Sequence, residues 1–405
     1  MISRAQFLGG TTLGILAASR AATPTQAEQN SRMLIATEHG ITASKDSPVN
    51  QKINELIKKL ADQGGGSIIF PPGMYNVDSQ GIQLSNQVSI IGMGEATQFR
   101  PIGTWDELSG VFRIGSDTSP SSQPVYRTGL HDFSIKPSDN PLMHVEPIPN
   151  TVGILYNTFN GDKPADPDAA HRISGISLWD LDMGIKIKGK DDQGCMVSHI
   201  RGRRFLRSAL TIGDVKENSA ADNTFSMIDF SSANLSGADS ANIEIYTSNC
   251  AFSQVKSWYS KRSLAFSEAE KAGAGFYVKG TRNTFNQCDA QDNGGHGFVL
   301  NLGNNSLVNC IADSNGYADN VSGAARPSEA HGFHISKNAQ GTQLIGCQSF
   351  NRVKENPGQS IGFWIHEANT EVTVIGSAFA NTRHSSLNGK LNQQRKNVLE
   401  SHNTG

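Results

Sequence analysis

Gly275-Phe276-Tyr277-Val278, Gly297-Phe298-Val299-Leu300, Gly332-Phe333-His334-Ile335 and Gly362-Phe363-Trp364-Ile365 share one pattern: a small residue, an apolar residue, any residue, an apolar residue. Three earlier segments follow it too: Gly184-Ile185-Lys186-Ile187, Ala209-Leu210-Thr211-Ile212 and Asn242-Ile243-Glu244-Ile245. The steps between the seven are 25, 33, 33, 22, 35 and 30 residues. A fixed motif at a minimum step with variable excess marks a solenoid whose loops differ in length. The alternation has period two, so each copy is a short strand with one face inward. One strand per coil, stacked in parallel, gives an all-β chain. The expected fold is a right-handed parallel β-helix solenoid with an N-terminal capping helix.

The helix is expected ahead of the repeats. Ser47 is a good N-cap and Pro48 a good first helical residue. Ile53, Leu56, Ile57 and Leu60 then fall at helical spacing, and Gly64-Gly65-Gly66 ends the run. Strands are expected at Ser67-Ile68-Ile69-Phe70 and from Val88 to Gly92. A helix here would cover the open end of the apolar stack. The chain divides into an export signal and linker (1–30), the cap helix and first coils (31–103), the β-helix (104–382) and a polar tail (383–405). The signal reading rests on Arg4, the apolar stretch from Phe7 to Ala18 and the small residues up to Ala27. Ser3-Arg4-Ala5-Gln6-Phe7-Leu8 is similar to a bacterial twin-arginine signal with Ala5 in place of the second arginine. An exported protein, periplasmic or extracellular, is the expectation.

From Gly64 to Tyr75 the chain runs through a Gly-rich turn, an apolar strand and a Pro-Pro-Gly-x-Tyr turn. With the preceding helix, this segment resembles the N-terminal part of the pectate-lyase-like β-helix superfamily, which includes pectin-degrading enzymes and phage tailspikes. The likeness covers roughly 36–103 in motif and 130–382 in repeat style. It implies the fold and a carbohydrate-active protein, and it makes a homotrimer a candidate assembly. One fold hosts many chemistries, so the reaction does not follow from it. The superfamily's hydrolase and lyase signatures are not legible: His296-Gly297 and His331-Gly332 lack their expected partners.

Bulk properties exclude other classes. The net charge of −2 gives no global pull toward nucleic acid. No apolar run reaches the roughly 20 residues of a membrane-spanning helix. Walker, dinucleotide and zinc spacings are absent. The five cysteines do not form an even framework. Cys288, Cys310 and Cys347 share one register of successive coils, which marks small core residues, with a stacked disulfide as the alternative.

Extra residues enter just before the repeated strand. The coil holding Cys288 has almost none, while its neighbours carry Lys261 to Lys271 and Tyr317 to Ala330. Two long loops flanking a short coil are expected to leave a groove, and loops on a rigid scaffold are where sites are built. Its floor would be Asp289, Asp292, Asn293 and His296, and its far wall Arg326, Glu329 and His331. His296 and His331 hold one register in adjacent coils and suit acid–base work; the alternative is a pair of turn residues bonding the backbone. The outward row of the repeated strand contains Tyr277, His334 and Trp364, which suit stacking on sugar rings or plain packing under a loop. A second outward row alternates Arg201, Asp229, Lys256 and Asp289, more simply an ion ladder than a catalytic row. Lys186, Lys188, Lys190, Arg201, Arg203, Arg204 and Arg207 make a basic stretch able to hold an acidic polysaccharide, unless nearby aspartates balance it.

These readings support an enzyme cleaving a polysaccharide. A lyase needs a base beside the uronate carboxylate and a cation, Arg, Lys or Ca²⁺, to stabilise the enolate, with His296 and His331 as acid–base candidates. A hydrolase needs two carboxylates, for which Asp292 and Glu329 are the candidates. The alternative is a non-catalytic carbohydrate-binding protein or adhesin.

Overall fold

The structure, a computed structural model, describes residues 32–44, 46–140, 143–158, 169–190, 192–215, 219–263, 265, 270–317, 320–322, 330–352, 358–369 and 371–380. The expected signal and tail fall outside these residues, as do Arg326 and Glu329.

The seven repeated segments pair with one another in chain order and in register. Ile185, Leu210, Ile243, Phe276, Phe298, Phe333 and Phe363 form one inward column. Every pairing in this sheet is parallel, and the sheet winds round as a β-helix. Each complete coil has three faces. The first carries Thr284–Asn286, Ser306–Val308 and Thr342–Ile345. The second carries Asp289–Gln291, Ile311–Asp313 and Gln348–Phe350. The third carries the repeated strands Phe276–Val278, Phe298–Leu300, His331–Ile335 and Ile361–Ile365. In earlier coils the first two faces are one bent strand, such as Ala251–Trp258.

One left-handed residue turns each coil from the first face to the second. His199, Met227, Gln254, Gln287 and Asn309 hold φ between 52° and 56°, and Gly346 and Gly376 take the place in later coils. That conformation costs most side chains energy, so its recurrence shows the corner is fixed by the stack. The interior is layered. Phe276, Phe298, Phe333 and Phe363 stack face to face at 4.6, 4.9 and 4.9 Å between centroids. Cys288, Cys310 and Cys347 form the expected buried column and are free thiols. Hydrogen bonding among the column's thiols, followed by burial, pushes Cys310 and Cys347 up from the ordinary thiol range.

Helix α1 spans Asn50–Asp62 and buries Ile53, Leu56, Ile57 and Leu60 in the same core as the first coils. It begins later than its sequence signals. Val49, not Ser47, is the N-cap, and its N–H is bound to Asn76 O at 2.9 Å. That bond ties residue 49 to the strand Gly73–Val77 and delays the first turn. The helix ends at the glycines as expected. Gly65 has φ +99°, and a Cβ there would meet Gln87 O at 2.5 Å. The strands Gly66–Ile69 and Val88–Ile91 pair directly, close to their expected bounds.

Candidate functional site

The outward row of the third face is Lys186, Thr211, Glu244, Tyr277, Val299, His334 and Trp364, one residue per coil. Its earlier coils floor a groove of two adjoining hollows of about 300 and 440 Å³. Lys186, Arg207, Asp239, Glu244, Tyr246, Lys271 and Tyr277 line it, with Glu270 at the far end.

Glu244 organises this groove. The residue is 6% exposed. One oxygen accepts from Ser208 Oγ, Ser240 Oγ and the Ala241 N–H at 2.8, 2.8 and 3.0 Å. The other accepts the Tyr246 hydroxyl at 2.6 Å. Lys271 Nζ donates to the Tyr246 oxygen at 3.4 Å and lies 3.8 Å from Glu244 and 3.9 Å from Asp239. Burial, then the Glu244 charge, pushes the Tyr246 phenol up; burial does the same to Tyr277. Both are therefore proton donors at neutral pH. Arg207 sits at the groove with its guanidinium forked on Asp182 at 2.7 and 2.8 Å. Lys186 is paired with Asp117. Cations, protonated phenols and a buried carboxylate at one place can neutralise an acidic sugar and move a proton.

Farther along the face, His296, His331 and His334 form a buried group with ligand atoms within 4.8 Å of one another. Their ring centroids are 5.0, 4.6 and 5.6 Å apart. Trp364 stacks on His334 at 4.3 Å and on His331 at 5.5 Å. His334 Nε2 lies 3.2 Å from Glu270 Oε1, and this contact holds the Glu270 carboxyl below its ordinary value. His296 is pushed well below the usual imidazole value by burial, then by His334 and His331, so it is neutral. The adjacency of His296 and His331 matches the register reading. His334 joins them, which the sequence reading had placed separately in the outward row.

Among the described residues the short coil is covered rather than open. Its two flanking loops pair with each other: Arg262–Ser263 runs parallel to Val321–Ser322. Lys261 Nζ donates to Asn320 Oδ1 at 2.5 Å, and Asn320 Nδ2 to Asp292 O at 2.5 Å. These described residues of the two loops cover the coil. Asp292 is 1% exposed and paired with the Arg352 guanidinium. Asn293 is fully buried in a side-chain ladder, donating to Asn315 Oδ1 at 2.9 Å and accepting the Ser260 N–H at 3.0 Å. Its amide is used within the fold, so it is a corner brace and not the open floor of a groove. Asp289 lies on the second face, 3.5 Å from Lys256, as the ion-ladder reading expects.

The basic stretch also splits. Lys186 and Arg207 face the groove, whereas Arg201 is exposed on the second face near Glu95 at 3.9 Å. Arg203 lies between the Trp179 and Trp258 rings at 5.6 and 5.4 Å. Asp180 pairs with Arg204 at 2.7 Å, as Asp182 does with Arg207, which favours the balanced reading of that stretch. Tyr277, in the outward row, lines this groove. Tyr246 stands two residues beyond the outward-row Glu244, and reading that second row beside the first would have brought it to Tyr277.

No family model and no curated protein sequence matches this chain. Solved structures do. The A-module of a mannuronan C-5 epimerase from Azotobacter vinelandii aligns over 91% of this chain and 100% of its own, at 13% identity and a TM-score of 0.63. The enzymatically active domain of tailspike protein 2 from bacteriophage CBA120 aligns over 93% of this chain and 54% of its own, at 14% identity and a TM-score of 0.59. A mutant tailspike of E. coli bacteriophage HK620, solved with a pentasaccharide, aligns over 90% and 64%, at 13% identity and a TM-score of 0.57. These likenesses establish the parallel β-helix fold that the N-terminal resemblance implied.

Proposed function

We propose that this protein acts on an acidic polysaccharide in the third-face groove, by removing the proton next to a uronate carboxylate. The observation that carries this is the Lys271–Tyr246–Glu244 chain, in which one phenol sits between an ammonium and a buried carboxylate. In the proposed step the C–H bond beside the carboxylate breaks and its proton goes to the Tyr246 oxygen. The phenolic proton passes to Glu244, and the electron pair forms an enolate neutralised by Lys271, which protonation of Glu244 releases from that carboxylate. Tyr277 then supplies a proton, either to the leaving glycosidic oxygen or back to carbon. The first outcome is elimination and the second is epimerisation. The pentasaccharide-bound tailspike and the epimerase module support a sugar polymer as the ligand of this fold. Export from the cell and a trimeric assembly belong to the same reading.

Hydrolysis is the second reading, favoured by one feature: Asp239 and Glu244 both approach the Lys271 ammonium within 4 Å. A hydrolase needs such a carboxylate pair across the bond. The experiment is purified protein with uronate polymers in D₂O, followed by absorbance at 235 nm, reducing ends and NMR. New absorbance means elimination. Deuterium on carbon without chain cleavage means epimerisation. Reducing ends with neither mean hydrolysis by Asp239 and Glu244. Binding without any reaction would leave a carbohydrate-binding protein and sink the enzymatic reading.

A further inference from the structure

We propose that His296, His331 and His334 bind one divalent transition-metal ion of the zinc or nickel class, at a site separate from the groove reaction. The three rings come from adjacent coils. His296 precedes one repeated strand, and His331 and His334 sit on the next, His331–Ile335. All three are buried, at 5, 3 and 6% exposure, and their ligand atoms lie within 4.8 Å of one another. Small adjustments bring such nitrogens to the roughly 2 Å of a metal–imidazole bond.

The hydrogen bond from His334 sets its proton as a metal would need it. Ionised Glu270 accepts from His334 Nε2, so the His334 proton is on Nε2 and Nδ1 carries a lone pair. That Nδ1 is buried with no hydrogen-bond partner. A carboxylate behind a histidine, fixing its tautomer and leaving the other nitrogen bare, is the usual outer shell of a metal ligand. His296 Nδ1 accepts the His331 N–H at 2.9 Å, so its proton is on Nε2 and its lone pair is in use in the metal-free fold. A metal taking that lone pair displaces one neutral backbone hydrogen bond in exchange for a metal–nitrogen bond. Trp364, stacked on His334 and His331, holds both rings in place. The donor set is all nitrogen. It suits zinc, nickel, copper or cobalt, and it excludes Ca²⁺, which takes oxygen ligands.

The test uses the full chain stripped with EDTA and dialysed against Zn²⁺, with metal content measured by mass spectrometry. Co²⁺ is the spectroscopic probe. The expected result is one retained Zn²⁺ per chain and a visible cobalt band, both lost in His334→Gln. Glu270→Gln, on a half-exposed residue, should keep the fold and weaken Zn²⁺ affinity about 10–100-fold. His199→Asn, at an exposed histidine on another corner, should change nothing. Failure to retain metal overturns the proposal. So does equal retention by the triple variant His296→Gln/His331→Gln/His334→Gln, or an unchanged affinity in Glu270→Gln. None of these readouts depends on whether the groove is catalytic.

Discussion

Replacing Phe298 by alanine tests whether the aromatic column holds neighbouring coils together. Phe298 is fully buried, with Phe276 stacked 4.6 Å away on one side and Phe333 4.9 Å away on the other. Cutting a buried phenylalanine to alanine costs about 3–5 kcal/mol through lost transfer energy and the cavity left behind. Each stacked ring pair adds roughly 0.5–1.5 kcal/mol beyond its area. With two partners lost, Phe298→Ala should cost about 5 kcal/mol. Phe363 is equally buried but has one ring partner among the described residues. Phe363→Ala should therefore cost about 1 kcal/mol less, ~4 kcal/mol. The assay is urea unfolding by far-UV circular dichroism, with the slope compared between variants. Solenoids add up their stability from repeats and interfaces, so a reduced slope would report coils opening separately. Equal costs at the two sites, or a loss at Phe298 below about 2 kcal/mol, would refute the reasoning.

Tyr246→Phe keeps the ring and removes the hydroxyl between Lys271 and Glu244, so deuterium incorporation should fall about 10²–10⁴-fold while the unfolding midpoint barely moves. Arg352→Ala leaves Asp292 a buried charge without its cation and should cost about 3–5 kcal/mol at neutral pH, read by urea unfolding. Asp289 gives a pH-dependent result. Burial raises its folded pKa above the ordinary carboxylate value, against the pull of Lys256, and its Oδ1 is buried without a partner. A raised folded pKa favours the fold at low pH, and that benefit is lost as pH rises through the raised value. Asp289→Asn should therefore raise the melting temperature at neutral pH and leave it nearly unchanged near pH 3.

The repeat was legible because a column in a β-helix needs the same kind of residue in every coil. Gly-Phe before an outward position recurs four times, and all four phenylalanines lie in one stack. The cysteine register was legible for the same reason. The roof over the short coil was not. It depends on residues 261–263 meeting 320–322, and no periodicity links two loops of unequal length. That contact turned Asp292 and Asn293 from exposed candidates into buried braces. The groove was legible in pieces: Lys186, Arg207, Glu244 and Tyr277 all stood in rows or patches read from the sequence. What joined them was Lys271, which arrives at the end of a long loop and whose position follows from the loop's path. The histidines were half legible, because register pairs 296 with 331, whereas 334 joins them through the corner at the start of its strand.

The column of Cys288, Cys310 and Cys347 has a use as a ruler. The three thiols mark three successive coils, and burial keeps them from reagents while the coils stay closed. Opening from the C-terminal side would release Cys347 first, then Cys310, then Cys288. Opening of the whole stack would release all three at once. A thiol reagent and a mass spectrometer would thus time the unwinding of this solenoid coil by coil, with no label added to the protein.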